Sequence, residues 1–274
     1  MSIRKVLLPI IGDDDIDPLA SMAFTIATMF SAKVEGVFID STFVNSSGES
    51  RGPGQTKRAI ERAREEKKQK KSRAQQVYDH WTSRFPKVEA TLVIREGSPD
   101  AVYAQRGRLS DISVIGSAHK YDSEYWRSVR DAVLFQSGAP VVVVPSRKGP
   151  AYGLEKVLIA WKEGLQASRA IRAVHPFMTK ATEVHLLAVG EDQESVASVQ
   201  DVEEYLQLHY AGVHTELISR SGRKAGELLL SRAESLGALL VMGAYTHSQG
   251  EEPAYGSVTE FMLSEATVPV LMMH

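Results

Sequence analysis

The sequence predicts an α/β protein made of two tandem doubly wound parallel sheets, and three observations carry that prediction. Short runs of apolar, often β-branched residues alternate with amphipathic segments of about 10–15 residues, the pattern of strand–helix–strand units joined by right-handed crossovers. The apolar runs, such as Pro140-Val141-Val142-Val143-Val144, are nearly continuous rather than alternating, as in strands covered on both faces. The whole order then occurs a second time, and 274 residues exceed the usual single-domain size.

The first strand runs from Lys5 to Ile10. A helix follows over Pro18 to Phe30, where Leu19, Met22, Ala23, Ile26, Ala27 and Phe30 recur at helical spacing. Lys33 to Ile39 is a strand, and a Gly/Ser loop over Ser46 to Gly54 leads into a long helix from Thr56 to Phe85. Val88 to Ile94 is a strand, Pro99 to Arg108 a helix, and Asp111 to Ile115 a strand. Arg127 to Phe135 is the last helix of this half, ahead of the strand at Val141.

Pro145 to Gly153, rich in Pro, Gly and basic residues, reads as a linker between domains at residues 1–147 and 154–274. Beyond it the order repeats. Strands are predicted over Lys156 to Trp161, Glu183 to Val189, Val213 to Ser219 and Ala238 to Met242. Helices lie between them over Gln166 to Phe177, Glu194 to Tyr210 and Ala225 to Glu234. A polar loop, Tyr245 to Tyr255, then opens through Gly256-Ser257 into a helix with Val258, Phe261, Met262 and Ala266 on its apolar face. Val268 to Met273 is the final strand.

Composition excludes several classes. The chain has no cysteine, which removes disulfides, thiolate metal sites and cysteine nucleophiles. No apolar run approaches the ~20 residues that span a bilayer, so no membrane association is expected. Met1-Ser2-Ile3-Arg4-Lys5 runs directly into a strand without the apolar stretch of a signal peptide, and the expected location is cytoplasmic. The net charge of −2 divides unevenly, +4 over residues 1–147 and −6 over 148–274. Lys57 to Arg73 alone holds nine basic and three acidic residues, read as a solvated helix face rather than a nucleic-acid surface.

The chemistry is concentrated at Leu240-Val241-Met242-Gly243, where an apolar strand ends on a glycine, and at the Gly256-Ser257 helix start. In open α/β sheets ligands bind at the carboxyl ends of strands, where strand order reverses. Backbone N–H groups and a helix N-terminus aimed at one point suit a phosphate. Gly243 and Gly256 would let the backbone approach it, and Ser257 would add a hydroxyl. The same Ser257 with Glu260 three residues later is also a capping-box pattern, which would stabilise the helix without a ligand. Spacing alone leaves both readings open.

These residues resemble the universal stress protein family, whose motif is glycine, two residues, glycine, nine residues, glycine, then Ser or Thr. Here it reads Gly243, Thr246, Gly256, Ser257. The resemblance extends to both halves through Val6-Leu7-Leu8-Pro9, Val114-Ile115-Gly116-Ser117, Ala139-Pro140-Val141-Val142-Val143, Ile159-Ala160-Trp161-Lys162 and Val268-Pro269-Val270-Leu271. It implies a five-stranded sheet in each half with strand order 3-2-1-4-5, the halves forming an internal pseudo-dimer whose final strands meet. It also implies ATP, with Mg, as ligand of the second domain. Gly243, Thr246, Gly256, Ser257 and Val258 would lie on the phosphate side, Ala160 and Met242 beside the nucleoside, and Val189 near the adenine.

Two residues depart from the family pattern. Thr246 replaces the second glycine, and a β-branched residue is poor at positive φ. Lys162 stands where an acidic residue accepts hydrogen bonds from the nucleoside; lysine has no acceptor but can reach a phosphate. In the first half the motif positions are Gly116, His119, Val129 and Arg130, with Ile11 at the acidic position, so that half is read as structural. Arg127 and Arg130 are read there as exposed helix arginines.

Other candidates are weaker. Asp13, Asp14, Asp15 and Asp17 are explained by the adjoining helix N-terminus rather than by a metal. His185, His209 and His214 lack the close spacing of a zinc pair, so no metal is expected. No nucleophile elbow, zinc-protease helix or Walker loop occurs. The expected function is therefore a non-catalytic regulatory stress protein that binds ATP or another phosphorylated ligand in its second domain and is read by protein partners; a homodimer is compatible with this. The alternatives are a scaffold that binds no nucleotide, and a binder or enzyme for a non-nucleotide anion.

Overall fold

The computed structural model describes residues 2–11, 16–40, 53–118, 121, 123–145, 153–190, 193–244, 246–249 and 252–274. Asp13, Asp14, Asp15, His119, Tyr245, most of the Ser46 to Gly54 loop and most of the linker lie outside them.

The first half comprises β1 (Lys5–Pro9), α1 (Asp17–Phe30), β2 (Lys33–Ile39), α2 (Pro53–Arg84), β3 (Ala90–Arg95), α3 (Pro99–Gly107), β4 (Ile112–Gly116), α4 (Glu124–Phe135) and β5 (Val141–Val144). The second comprises β6 (Lys156–Trp161), α5 (Leu165–Met178), β7 (Glu183–Val189), α6 (Gln193–Gln207), β8 (Val213–Ile218), α7 (Ala225–Leu236) and β9 (Leu239–Gly243). It ends with β10 (Thr246–Gln249), β11 (Glu252–Tyr255), α8 (Ser257–Glu265) and β12 (Val270–Met273).

Among the described residues the strands form one ten-stranded sheet in the order β3-β2-β1-β4-β5-β12-β9-β6-β7-β8. Read outward-in from either edge, each half has the order 3-2-1-4-5, with every neighbouring pair inside a half parallel. The two expected sheets are thus joined edge to edge. The seam is antiparallel, pairing Val143 with Val270, Val142 with Leu271 and Val141 with Met272. These residues are almost wholly buried, so the seam removes two apolar edges from water at once.

Further contacts close the seam. The Phe30 and Phe177 rings, from α1 and α5, meet edge-on with centroids 4.9 Å apart. The Ala118 N–H donates to the Leu263 carbonyl at 2.6 Å. The buried side chains of both halves form one continuous apolar cluster.

Local chemistry accounts for the element ends. Pro18 sits in the first turn of α1, where its missing N–H costs nothing, and Ser31 ends the helix at φ 53°. The helix expected from Arg127 starts at Glu124, because the Ser123 side chain caps it by accepting from the Trp126 N–H at 3.3 Å. From Glu61 to Arg73 the described side chains of α2 are largely exposed, as expected, while Trp81 is buried and donates to Asp17 at 2.9 Å, tying α2 to α1. Among the described residues no helix is long and apolar enough to cross a membrane. The segment expected to be a plain polar loop after β9 contains an antiparallel hairpin, β10–β11, pairing Thr246 with Tyr255.

Candidate functional site

β6 and β9 are neighbours, whereas the chain leaves them in opposite directions across the sheet, so a crevice opens at their carboxyl ends. A cleft of about 1260 Å³ occupies this place. Ala160 and Met242, 9% and 4% exposed, form its apolar floor. Val189, from the end of β7, continues that surface. Gly256, Ser257 and Val258 at the start of α8 line the wall, and Lys162 lies just past β6. Seven of the sequence-predicted residues therefore converge on one cleft.

Gly243 does not line it. Side chains alternate along a strand, so Met242 faces the cleft and Gly243 the opposite face. There a Cβ on Gly243 would come within 2.7 Å of the Ala167 nitrogen and 2.8 Å of the Gln166 carbonyl carbon. The glycine lets α5 pack against β9. Thr246 opens the hairpin, and its side chain lies outside the described residues.

The start of α8 differs from the capping-box alternative. Gly256 is the N-cap, with φ −61° and ψ 145°, and no side chain caps the helix. Ser257 is already the first helical residue and is exposed, one position too late to cap. The helix start therefore offers unreplaced N–H character to the cleft, with its partial positive charge.

Residues not singled out from the sequence complete the site. Arg220 and Lys224 line the cleft from the turn after β8 and the start of α7, with Trp161, Gly190 and Phe261 around them. The Trp161 indole donates to the Ser198 hydroxyl at 2.8 Å, which fixes its ring and anchors α6 to β6. A Cβ on Gly226 would sit 2.7 Å from the Phe261 ring, so this glycine sets how closely α7 and α8 approach. The basic Gly turn Arg220-Ser221-Gly222-Arg223-Lys224, directly after a predicted strand, was the available signal for the two cations. Glu260, Ser264 and Glu265 line the α8 side.

The first half is filled at the corresponding strand end. A Cβ on Gly116 would lie 1.8 Å from the Tyr121 ring, which is 1% exposed and packs on Trp126 with centroids 4.8 Å apart. Val129 and Arg130 fall inside α4, past its Ser123 cap, so no glycine opens that helix. Arg127 is exposed as expected, but Arg130 is not: it is 5% exposed, with its Nη1 3.5 Å from the Tyr121 carbonyl. Its helical position points it inward, onto the turn that holds Tyr121.

His185 stacks on His214 across β7 and β8 at 5.0 Å, and lies 3.1 Å from a Glu183 oxygen. His209 meets His175 instead, also at 5.0 Å. Among the described residues no group of three or more His, Asp or Glu is placed to hold a metal.

Comparison with known proteins agrees with this architecture. The sequence model of the Universal stress protein family matches residues 160–274. No curated protein matches the sequence. A universal stress protein from Archaeoglobus fulgidus DSM 4304 is similar in fold, with a TM-score of 0.74 at 18% identity over 98% of this chain and 97% of that one. A functionally unknown protein from Pseudomonas aeruginosa PAO1 has a TM-score of 0.58 at 14% identity, covering 99% of this chain and 92% of its own. Residues 160–274 are thus similar to the universal stress protein family, and the first half repeats the strand order of the second.

Proposed function

We propose that the cleft between β6 and β9 binds a phosphorylated ligand, with ATP and its Mg²⁺ as the first candidate, and that occupancy regulates this stress-response protein rather than serving catalysis. The observation that carries the reading is the uncapped start of α8 opening, beside lysine and arginine side chains, into a cleft of about 1260 Å³. Pockets of several hundred Å³ hold most small ligands, so a nucleotide fits with room to spare. Phosphates would rest on Gly256, Ser257 and Val258, and the nucleoside on the apolar surface of Met242, Ala160 and Val189. Mg²⁺ favours phosphate oxygens and water over an all-protein cage, so it would arrive with the ligand.

Regulation follows from connectivity. Gly256 directly succeeds the hairpin β10–β11, so a ligand gripping α8 biases which hairpin conformations are populated, and protein partners would read that surface. The second reading, a non-nucleotide anion, is favoured by Lys162, whose ammonium cannot accept a bond from a nucleoside.

Thermal melts with millimolar Mg-ATP, AMP, adenosine and inorganic phosphate test both. A ligand at 100 times its dissociation constant adds about 2.7 kcal/mol. Stabilisation by ATP that Gly256→Val abolishes is the expected result. Stabilisation by phosphate and not by ATP supports the second reading, and no shift with any of them leaves a scaffold.

A further inference from the structure

β8 lies at one outer edge of the sheet, and among the described residues no strand pairs with its far side. Its parallel pairing with β7 runs from Val213 to Ile218 without a bulge. It carries no lysine or proline, the residues that usually blunt such an edge. Leu217, 38% exposed, adds an apolar side chain there. A row of unpaired N–H and C=O groups is a template for another strand.

The ladder fixes which main-chain groups face outward. The Gly190 N–H donates to the Ile218 carbonyl at 3.1 Å, so Ile218 turns its main chain to β7. By alternation His214 and Glu216 do the same, and Val213, Thr215 and Leu217 point their N–H and C=O groups away from the sheet. A second copy related by a two-fold axis at Thr215 matches this pattern. Val213 then lies opposite Leu217, Thr215 opposite itself, and His214 opposite Glu216.

Only this register sets histidine against glutamate; an axis at Glu216 sets like charges opposite each other. Arg232 of α7 pairs with Glu216 Oε1, and the other carboxylate oxygen has no partner among the described residues. An imidazole N–H can donate to it. The opposite edge strand, β3, is uncharged from Ala90 to Ile94 and offers nothing to match His214 and Glu216.

We propose that this edge is a homodimer interface, in which two copies join β8 to β8 antiparallel about Thr215 and continue one sheet across the dimer. The chain already makes one junction of this kind, the antiparallel β5–β12 seam between its two parallel halves.

Sedimentation of the full chain without ligand, at concentrations up to about 100 μM, tests this. The wild type is expected to show a dimer whose share rises with concentration. Thr215→Pro removes an outward N–H and no β7–β8 hydrogen bond, so it is expected to fold, as its melting temperature reports, and to stay monomeric. His214→Glu sets carboxylates opposite one another and is expected to weaken the dimer about tenfold, whereas His214→Lys is expected to preserve it. A wild type that remains monomeric overturns the proposal. So does a dimer that folded Thr215→Pro retains, or an assembly that grows past two copies. If Thr215→Pro does not fold, the His214 variants decide, since that side chain is exposed: equal effects of Glu and Lys overturn the register.

Discussion

Glu35 is 5% exposed, yet it holds a charge because Arg106 and Lys5 surround it. Arg106 Nε donates to Oε1 at 2.7 Å, its Nη2 donates to Oε2, and the Lys5 ammonium lies 2.9 Å from Oε2. Burial alone raises the carboxyl, but these hydrogen bonds outweigh it and leave the pKa below its ordinary value. A carboxylate with a depressed folded pKa contributes stability in full above its unfolded pKa, near 4.3, and loses it as pH falls through the folded value. Glu35→Gln is therefore expected to weaken the acid dependence of the melting temperature below about pH 4.3. Arg106→Met, which leaves the carboxylate half-paired, should cost about 3 kcal/mol by denaturant titration at neutral pH. Gly243 makes a different demand. Its φ is not a left-handed one, and the constraint is the α5 backbone at 2.7 Å. Backbone cannot swing aside as a side chain can, so Gly243→Ala should destabilise by about 1–3 kcal/mol. An unchanged melting midpoint would refute the packing account.

At the scale of elements, the α7–α8 pair governs the width of the cleft. Gly226 touches Phe261, and both line the cavity. Gly226→Val forces the Phe261 ring away and tilts one helix start against the other. Its expected signature is a loss of nucleotide-induced stabilisation larger than the fall in ligand-free stability, measured by paired melts. In the first half the same strand end is closed by Tyr121 on Trp126. Tyr121→Ala should cost about 3–5 kcal/mol, as for other large buried rings. It should not by itself create nucleotide binding, because α4 starts at a serine cap with no glycine entrance.

For the whole molecule, the antiparallel β5–β12 seam and the common apolar cluster make the halves one unit. Differential scanning calorimetry should show a single cooperative transition; two separable transitions would show that the seam contributes little. Ligand in the second-half cleft should then slow amide exchange in β4 and β5 as well as in β9 and β12. The seam also occupies the edge each half would offer to another copy, so a homodimer must use a different surface.

The order of elements along the chain and its repeat were legible in the sequence because they rest on local patterning: continuous apolar runs such as Val141–Val144, helical spacing in α1, and a glycine where β9 ends; the strand order within each sheet came from the family resemblance. The Gly256-Ser257 helix start was legible as part of a site because ligands bind where strand order reverses, whereas Ala160, Lys162, Val189, Met242 and Val258, which line the same cleft, were named through the family resemblance. What Gly243 packs against, where Ser257 falls relative to its helix cap, why Arg130 is buried, and that Arg220 and Lys224 face the same cleft were decided only by tertiary structure. Each depends on which element lies opposite in space, and the spacing of residues along one strand or helix does not encode that neighbour.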